Sequence, residues 1–109
     1  MSDLWADAFL SLLEAAEAAG DPDCVRAVYQ PASLPAATVL VHIERGVSLQ
    51  PAGFDAQVIS QAITIEAALP ALGKEPARGE TFTTPTGTVY TVVTVLENDG
   101  HIVKVQVVK

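Results

Sequence analysis

The amino-acid sequence predicts an α+β fold in which an N-terminal amphipathic helix precedes a small, mostly antiparallel β-barrel or sandwich that ends in a β-hairpin. Two observations predict this class. Apolar residues recur at three- and four-residue spacing only near the N-terminus. After Pro22, short runs rich in Val, Ile and Thr alternate with segments containing Gly and Pro. With 109 residues, 50% of them hydrophobic, the chain is predicted to form one domain spanning residues 1–109.

The predicted helix covers residues 3–19. Ser2 can cap its first turn, and Gly20 followed by Asp21-Pro22 is a signal that ends a helix. Its polar residues fall on one side, and the apolar residues of the other side are predicted to face the core. The polar side comprises Asp3, Asp7, Ser11 and Glu14, and the apolar side comprises Leu4 or Trp5, Ala8, Phe9, Leu12, Leu13 and Ala16.

Six strands are predicted in a β domain covering residues 24–108. Alternation is clearest in the second strand, where Val39, Val41 and Ile43 share a face. Residues 46–57 have little periodicity and are predicted to form a long loop, and residues 68–79 an irregular connection. The predicted strands are Cys24–Gln30, Thr38–Arg45, Val58–Ala67, Glu80–Thr84, Thr88–Glu97 and His101–Val108.

The last two strands are predicted to form a hairpin, because Asn98-Asp99-Gly100 is a turn signal. A two-residue turn at Asp99-Gly100 would pair Leu96 with Val103, Thr94 with Val105 and Val92 with Val107. This apolar face belongs in the core. The opposite face carries several Val and Ile residues as well, so it is expected to be covered in part, either by the N-terminal helix or by a partner subunit.

Charge and cysteine content disfavour several classes of function. Six Lys and Arg against 13 Asp and Glu give a net charge of −7, and the basic residues are scattered singly. Binding to nucleic acid or to an anionic membrane is therefore not predicted. One cysteine, Cys24, allows neither an intramolecular disulfide nor a multi-cysteine zinc site, and no cofactor is predicted. The N-terminus lacks the basic region of a secretory signal, and no apolar run approaches the length of a membrane span.

Candidate chemical residues are few. His42 and Glu44 share a strand face and could act as a base and its orienting partner or as two metal ligands, although the polar side of an edge strand explains them as well. Cys24 lacks a nucleophile signature and is expected to be a structural thiol. Asp99-Gly100 is expected to form a turn and not part of a calcium loop. No catalytic residue is assigned, and the chain is not predicted to be an enzyme.

Residues suited to protein docking are more evident. The predicted loop 46–57 contains the apolar residues Val47, Leu49 and Phe54, and loops of this length are often functional. We expect it either to order against a partner or to be a plain surface loop. Trp5 on the helix is the fourth candidate, with core packing as the alternative.

The order of segments resembles the small head–tail joining proteins, also called head completion or neck proteins, of lambda-like long-tailed phages and prophages. In that family a Gly-Asp/Glu-Thr-hydrophobic segment precedes a turn, and a Tyr/Trp-x-Val-x-x-Val strand and an acidic Gly turn follow. The resemblance covers residues 60–108 and the general character of the helix. It is carried by Ile63-Thr64-Ile65-Glu66, Leu69-Pro70, Arg78-Gly79-Glu80-Thr81-Phe82-Thr83, Gly87-Thr88-Val89-Tyr90-Thr91-Val92, Val95 and Asn98-Asp99-Gly100.

The resemblance implies a non-catalytic structural protein of the virion neck, present in the bacterial cytoplasm during assembly. Its implied partners are the head connector and tail proteins, with a homo-oligomeric ring formed on assembly, and no catalytic or contact residues carry over from the family. A tail terminator or tail-tube-like subunit is the alternative within this class. A small β-barrel that binds a ligand is the alternative from another class.

Overall fold

The computed structural model describes residues 4–49 and 60–109, and it confirms the predicted α+β class. An N-terminal helix precedes six strands, and each predicted helix or strand that lies within these ranges is present. The observed bounds are α1 Leu4–Ala18, β1 Cys24–Gln30, β2 Ala37–Leu49, β3 Ser60–Ala68, α2 Leu69–Leu72, β4 Thr81–Thr83, β5 Val89–Asn98 and β6 Ile102–Val108.

The strands close into a barrel in the order β1-β2-β3-β6-β5-β4. Every neighbouring pair is antiparallel, including the closing pair, in which Tyr29 of β1 lies opposite Phe82 of β4. Closure pairs the backbone N–H and C=O groups that would stay unpaired at the edge strands of an open sheet. Of the two architectures predicted, barrel or sandwich, the chain adopts the barrel.

Alternate residues of each strand fill the barrel. Tyr29 and Phe82 stack at its centre with ring centroids 4.9 Å apart, which is a favourable aromatic geometry. Leu72 of the short helix α2 also belongs to this core, and Leu69 packs against it. The remaining buried core residues are Ala27, Val39, Val41, Ile43, Ile65, Ala67, Tyr90, Val92, Val103, Val105 and Val107.

Helix α1 lies outside the barrel, against β1, β2, β3 and β6. Leu13 is buried there with Cys24 and Leu40, and Phe9, Leu10 and Ala16 pack around them. The Cys24 thiol donates a hydrogen bond to the carbonyl of Leu13 at 3.0 Å. Glu17 forms an ion pair with Arg26 of β1 at 3.0 Å, which fixes the end of the helix on the sheet. The helix therefore covers the outer surface mainly of β1, β2 and β3. Of the hairpin face that was expected to be covered, it reaches only β6, and Val89 and Val108 stay exposed.

The register of the C-terminal hairpin was predicted correctly at only one of three pairs. Val92 lies opposite Val107, but Val105 faces Val95 and Val103 faces Asn98. Two irregularities in β5, between Val92 and Thr94 and between Val95 and Glu97, cause the shift. Each inserts a residue on one strand only, so Val95 enters the core while Thr94 becomes exposed.

The turn itself is longer than the predicted two residues. Asp99 Oδ1 accepts hydrogen bonds from the amides of His101 and Ile102, both at 2.8 Å, and Asn98 Oδ1 accepts one from Gly100 at 2.9 Å. Gly100 has a φ of 89°, a conformation that favours glycine. The carboxylate of Asp99 is thus engaged by the turn, as expected for a turn residue.

The connections differ from the prediction in two places. Strand β2 continues past Arg45 through Leu49, because a bulge between Glu44 and Val47, with Gly46 at a φ of 73°, lets pairing with β3 resume. The predicted loop therefore begins later than residue 46, and its residues 50–57, like Val58 and Ile59 of the predicted third strand, lie outside the described residues. Within the connection predicted as irregular, residues 69–72 form α2, which ends at Gly73 in the left-handed conformation.

Candidate protein-docking surfaces

Helix α1 carries a second apolar face that points away from the barrel. Only four of its 15 residues are polar, so one buried face cannot accommodate all of its apolar side chains. At about 100° per residue, five of the six exposed apolar residues fall within roughly 100° of arc on the side facing solvent. We call this set the α1 stripe, and it comprises Leu4, Trp5, Ala8, Leu12 and Ala15.

The large members of the α1 stripe are well exposed. Leu4, Trp5 and Leu12 are 77%, 71% and 70% exposed. Taking about 150–250 Å² for each large side chain, they offer roughly 400 Å² of apolar surface. A patch of this size is comparable to the largest on a typical monomer and is often a contact site.

The predicted core face of the helix is therefore wrong in part. Leu13 is buried as predicted, and Phe9 and Ala16 pack beside it, but Leu12 and Ala8 are exposed. Ala6, which the spacing did not assign to the core, is 3% exposed. The helix is rotated relative to the prediction because an almost wholly apolar helix offers several stripes with helical spacing.

One edge of the α1 stripe is acidic. Asp7 and Glu14 lie two helical turns apart on the same side and are exposed. The helix has no basic residue, and its other carboxylate, Glu17, is paired with Arg26. A surface that binds the stripe and this rim would combine apolar and cationic character.

A second uncharged surface, in which three exposed valines lie among Thr and Gln side chains, is on the outer face of β1, β4, β5 and β6. Val28, Thr83 and Val89 form one cross-strand row, and Gln30, Thr81, Thr91 and Val108 form the next. Val28, Val89 and Val108 are 42%, 46% and 47% exposed. None of these seven side chains is charged. We call this set the sheet patch.

The barrel interior offers little space to a ligand. Aromatic and branched side chains fill it, and the cavity at one end has a volume of about 140 Å³. Val25, Ile43 and Tyr90 contribute its apolar wall, and Arg45 and Thr84 its polar rim. Pockets for small molecules usually enclose about 300–1,000 Å³, so this cavity lies below that range.

A polar recess of about 490 Å³ lies outside the barrel near the C-terminal hairpin. Its lining includes Glu66, Glu97, Asp99 and Lys104, and Lys104 lies 4.0 Å from Glu66. In residues 4–49 and 60–109, no group of three or more His, Cys, Asp or Glu is placed to hold a metal ion.

Glu80 is the most strongly engaged ionisable group, and sequence reasoning did not single it out. Its side chain is buried, and it accepts four hydrogen bonds. Oε1 accepts from the Tyr29 hydroxyl at 2.5 Å and from the Ala77 amide at 2.7 Å. Oε2 accepts from the Ala32 amide at 2.9 Å and from Lys74 Nζ at 2.5 Å. These contacts join two loops to the barrel.

The same contacts shift two pKa values. Burial by itself raises the pKa of Glu80, but the hydrogen bonds from Lys74, Tyr29 and the two amides outweigh it and lower the pKa to about 2. Burial, together with the bond to this carboxylate, raises the pKa of Tyr29. Glu80 is therefore a structural carboxylate that stays ionised. The sequence gives little signal for it, because Tyr29 lies 51 residues away.

Among the described residues, the candidate chemical residues lie on neighbouring strands but form no hydrogen bond with one another. His42 of β2 lies opposite Cys24 on one side and Glu66 on the other, and no hydrogen bond joins it to Glu44, which is exposed. Cys24 is buried, and burial followed by the nearby Asp21 and Glu17 raises the pKa of its thiol. A protonated, buried thiol is a poor nucleophile.

Among the four predicted docking residues, the structure describes the side chain of one. Trp5 is exposed on the α1 stripe and does not serve the core. Val47 and Leu49 belong to β2 by their backbone, opposite Ala62 and Ser60, and their side chains lie outside the described residues. Phe54 also lies outside them.

No protein-family model and no curated protein sequence matches this chain. Over the part of the chain that the structure describes, no helix combines the length and the apolar character needed to cross a membrane.

Proposed function

We propose that this chain is a non-catalytic assembly subunit that joins the head connector of a long-tailed phage or prophage to the tail by protein–protein contacts. It would act in the virion neck and be present in the host cytoplasm during assembly. The observation that carries the proposal is the α1 stripe. It is an apolar surface of roughly 400 Å² that is exposed to solvent on a helix whose other face is already buried.

The fold is consistent with the family resemblance. The segments that carry it form two consecutive hairpins, β4–β5 and β5–β6, and the resemblance implies an α+β protein with a small barrel. The resemblance also implies a homo-oligomeric ring, in which each copy contacts two neighbours, and the chain has two separate uncharged surfaces suited to such contacts, the α1 stripe and the sheet patch. A monomer that functioned alone would gain nothing from exposing both.

A ligand-binding barrel is the less favoured class. Its site would be the barrel interior, which aromatic side chains fill and where the cavity at one end encloses about 140 Å³. Within the phage class, a tail terminator or tail-tube-like subunit remains the alternative, and the number of copies per particle separates it from a joining protein.

The test is made on particles. Phage particles would be induced from the source culture and purified, and this chain would be quantified by peptide mass spectrometry against a labelled standard. A few to about a dozen copies per particle are expected for a neck ring of closed symmetry. Hundreds of copies would favour a tube subunit, and intact particles that lack the chain would refute the structural role.

A further inference from the structure

We propose that the α1 stripe of one copy docks on the sheet patch of a second copy, so that copies associate head to tail through two different surfaces. The proposal deepens the assembly role above, on which its biological setting rests. The partner of the stripe is a second copy of this chain, and the surface that this copy offers is the sheet patch.

The two surfaces match in size and in position. Leu4 and Ala15 are 11 residues apart in α1, so the α1 stripe is about 17 Å long at 1.5 Å per residue. The sheet patch spans four neighbouring strands, or about 14 Å across three inter-strand spacings. The helix packs against β1, β2, β3 and β6, whereas the patch is centred on β4 and β5. One copy can therefore present both surfaces at once.

The charges around the two surfaces are complementary. Asp7 and Glu14 border the α1 stripe. The sheet patch has no charged member, and Arg78 and Lys109 border it: Lys109 follows Val108, and Arg78 precedes Gly79, whose amide bonds to β5 at Val92. Neither cation has a carboxylate within ion-pair distance among the described residues. Docking would bring the acidic rim of one copy toward the basic border of the next.

Pairing of two α1 stripes is disfavoured by the same charges. It would place the acidic rims of two copies beside one another in a chain that already carries a net charge of −7. A head-to-tail contact between different surfaces forms a ring if the rotation between copies closes, and a filament otherwise.

The contact is small. The α1 stripe and a patch of equal size bury roughly 800 Å² in total, below the roughly 1,200 Å² of a stable interface. The purified chain is therefore expected to associate weakly, and copies held close together on a common platform would associate far more readily. The experiment accordingly traps short-lived contacts.

The experiment is disulfide cross-linking between single-cysteine additions. Leu12→Cys in the α1 stripe is mixed at about 0.5 mM with Val89→Cys in the sheet patch, and mixed dimers are followed during mild oxidation. Cys24 stays in place because it is buried, and the unsubstituted chain shows that it does not cross-link. Glu97→Cys, exposed on β5 outside the patch, is the control for Val89→Cys. It also removes one negative charge, which weakens the repulsion between copies and so biases the comparison against the proposal.

We expect the 12–89 pair to cross-link about fivefold faster than the 12–97 pair and faster than Leu12→Cys with itself. Equal rates for the 12–89 and 12–97 pairs would overturn the proposal. Fastest cross-linking of Leu12→Cys with itself would also overturn it, in favour of paired helices.

A charge reversal gives a second, independent readout. Adding Glu14→Lys to the Leu12→Cys chain changes its net charge from −7 by +2 to −5, which weakens the general repulsion between copies. The proposal expects 12–89 cross-linking to slow about threefold nonetheless, because the acidic rim is weakened. Faster cross-linking would contradict it. Since both measurements use the purified chain, they judge the pairing, whereas particles that lack the chain would refute the proposed function alone.

Discussion

Replacing Glu80 with glutamine should destabilise the fold although it changes neither size nor shape. The carboxylate accepts four hydrogen bonds, two on each oxygen. Glutamine can keep the two bonds from Tyr29 and Ala77, but its amide group then places N–H donors against the Ala32 amide and the Lys74 ammonium. Two donors in partly buried hydrogen bonds lose their acceptor, and one of them is charged.

The magnitude follows from the pKa of Glu80. The folded state lowers it from an ordinary value of 4.5 to about 2. This difference of about 2.5 pKa units, at 1.36 kcal/mol each, means that ionised Glu80 contributes about 3 kcal/mol to folding. Because the folded pKa is depressed, this stability is fully present above about pH 4.5 and is lost as the pH falls toward 2. Glu80→Gln should therefore lower the free energy of unfolding by about 3 kcal/mol at pH 7.

The assay is urea denaturation of both chains from pH 7 to pH 2.5. The difference in the free energy of unfolding should shrink steadily below pH 4.5, with similar slopes against denaturant. Glu14→Gln, an exposed change of the same chemistry, should alter stability by no more than about 0.5 kcal/mol. A Glu80→Gln effect below about 1 kcal/mol, or one that is constant between pH 7 and pH 2.5, would refute the reasoning.

Three further predictions concern α1, the hairpin turn and the thiol. Leu13→Ala should lower the free energy of unfolding by about 2–4 kcal/mol, whereas Leu12→Ala should lower it by less than about 0.5 kcal/mol. Thermal denaturation of the two variants tests which face of α1 is buried. Equal effects would contradict the packing. Gly100→Ala should cost about 1 kcal/mol because of its φ of 89°, and unchanged stability in urea would argue against this turn. Cys24 should be alkylated at pH 8 far more slowly than glutathione until urea unfolds the chain, whereas rapid alkylation of the folded chain would contradict its burial.

Local patterns predict the strands well and the pairing less well. Cys24–Gln30 matches the observed β1 in both bounds, and burial alternates along it from Arg26 to Gln30. In β5 the residues Val92, Val93, Val95 and Leu96 place apolar side chains on both faces. Such a pattern does not fix the register, so the sequence does not show where the two irregularities fall.

The docking surface of α1 could likewise be predicted only in part from the sequence. Trp5 is a docking candidate from the sequence, but the full α1 stripe follows only when the buried face is known. The periodicity assigns Leu12 and Leu13 to one apolar side, whereas the structure places them on different faces. Glu80 is harder still, because two of its four hydrogen-bond donors, Tyr29 and Ala32, lie 51 and 48 residues away along the chain.

If the α1 stripe serves head–tail joining, particle assembly should depend on its exposed side chains, and complementation measures this dependence. A phage or prophage lacking this chain would be supplied with either the unsubstituted chain or Leu12→Ser, with Ser11→Ala on the same exposed side of α1 as the matched control. Both variants must retain the wild-type melting temperature, which exposure of the two side chains predicts. Joined particles, free heads and free tails are counted by electron microscopy. Leu12→Ser should leave heads and tails separate, whereas the other two chains should restore joined particles. Normal yields of joined particles with Leu12→Ser would contradict the account.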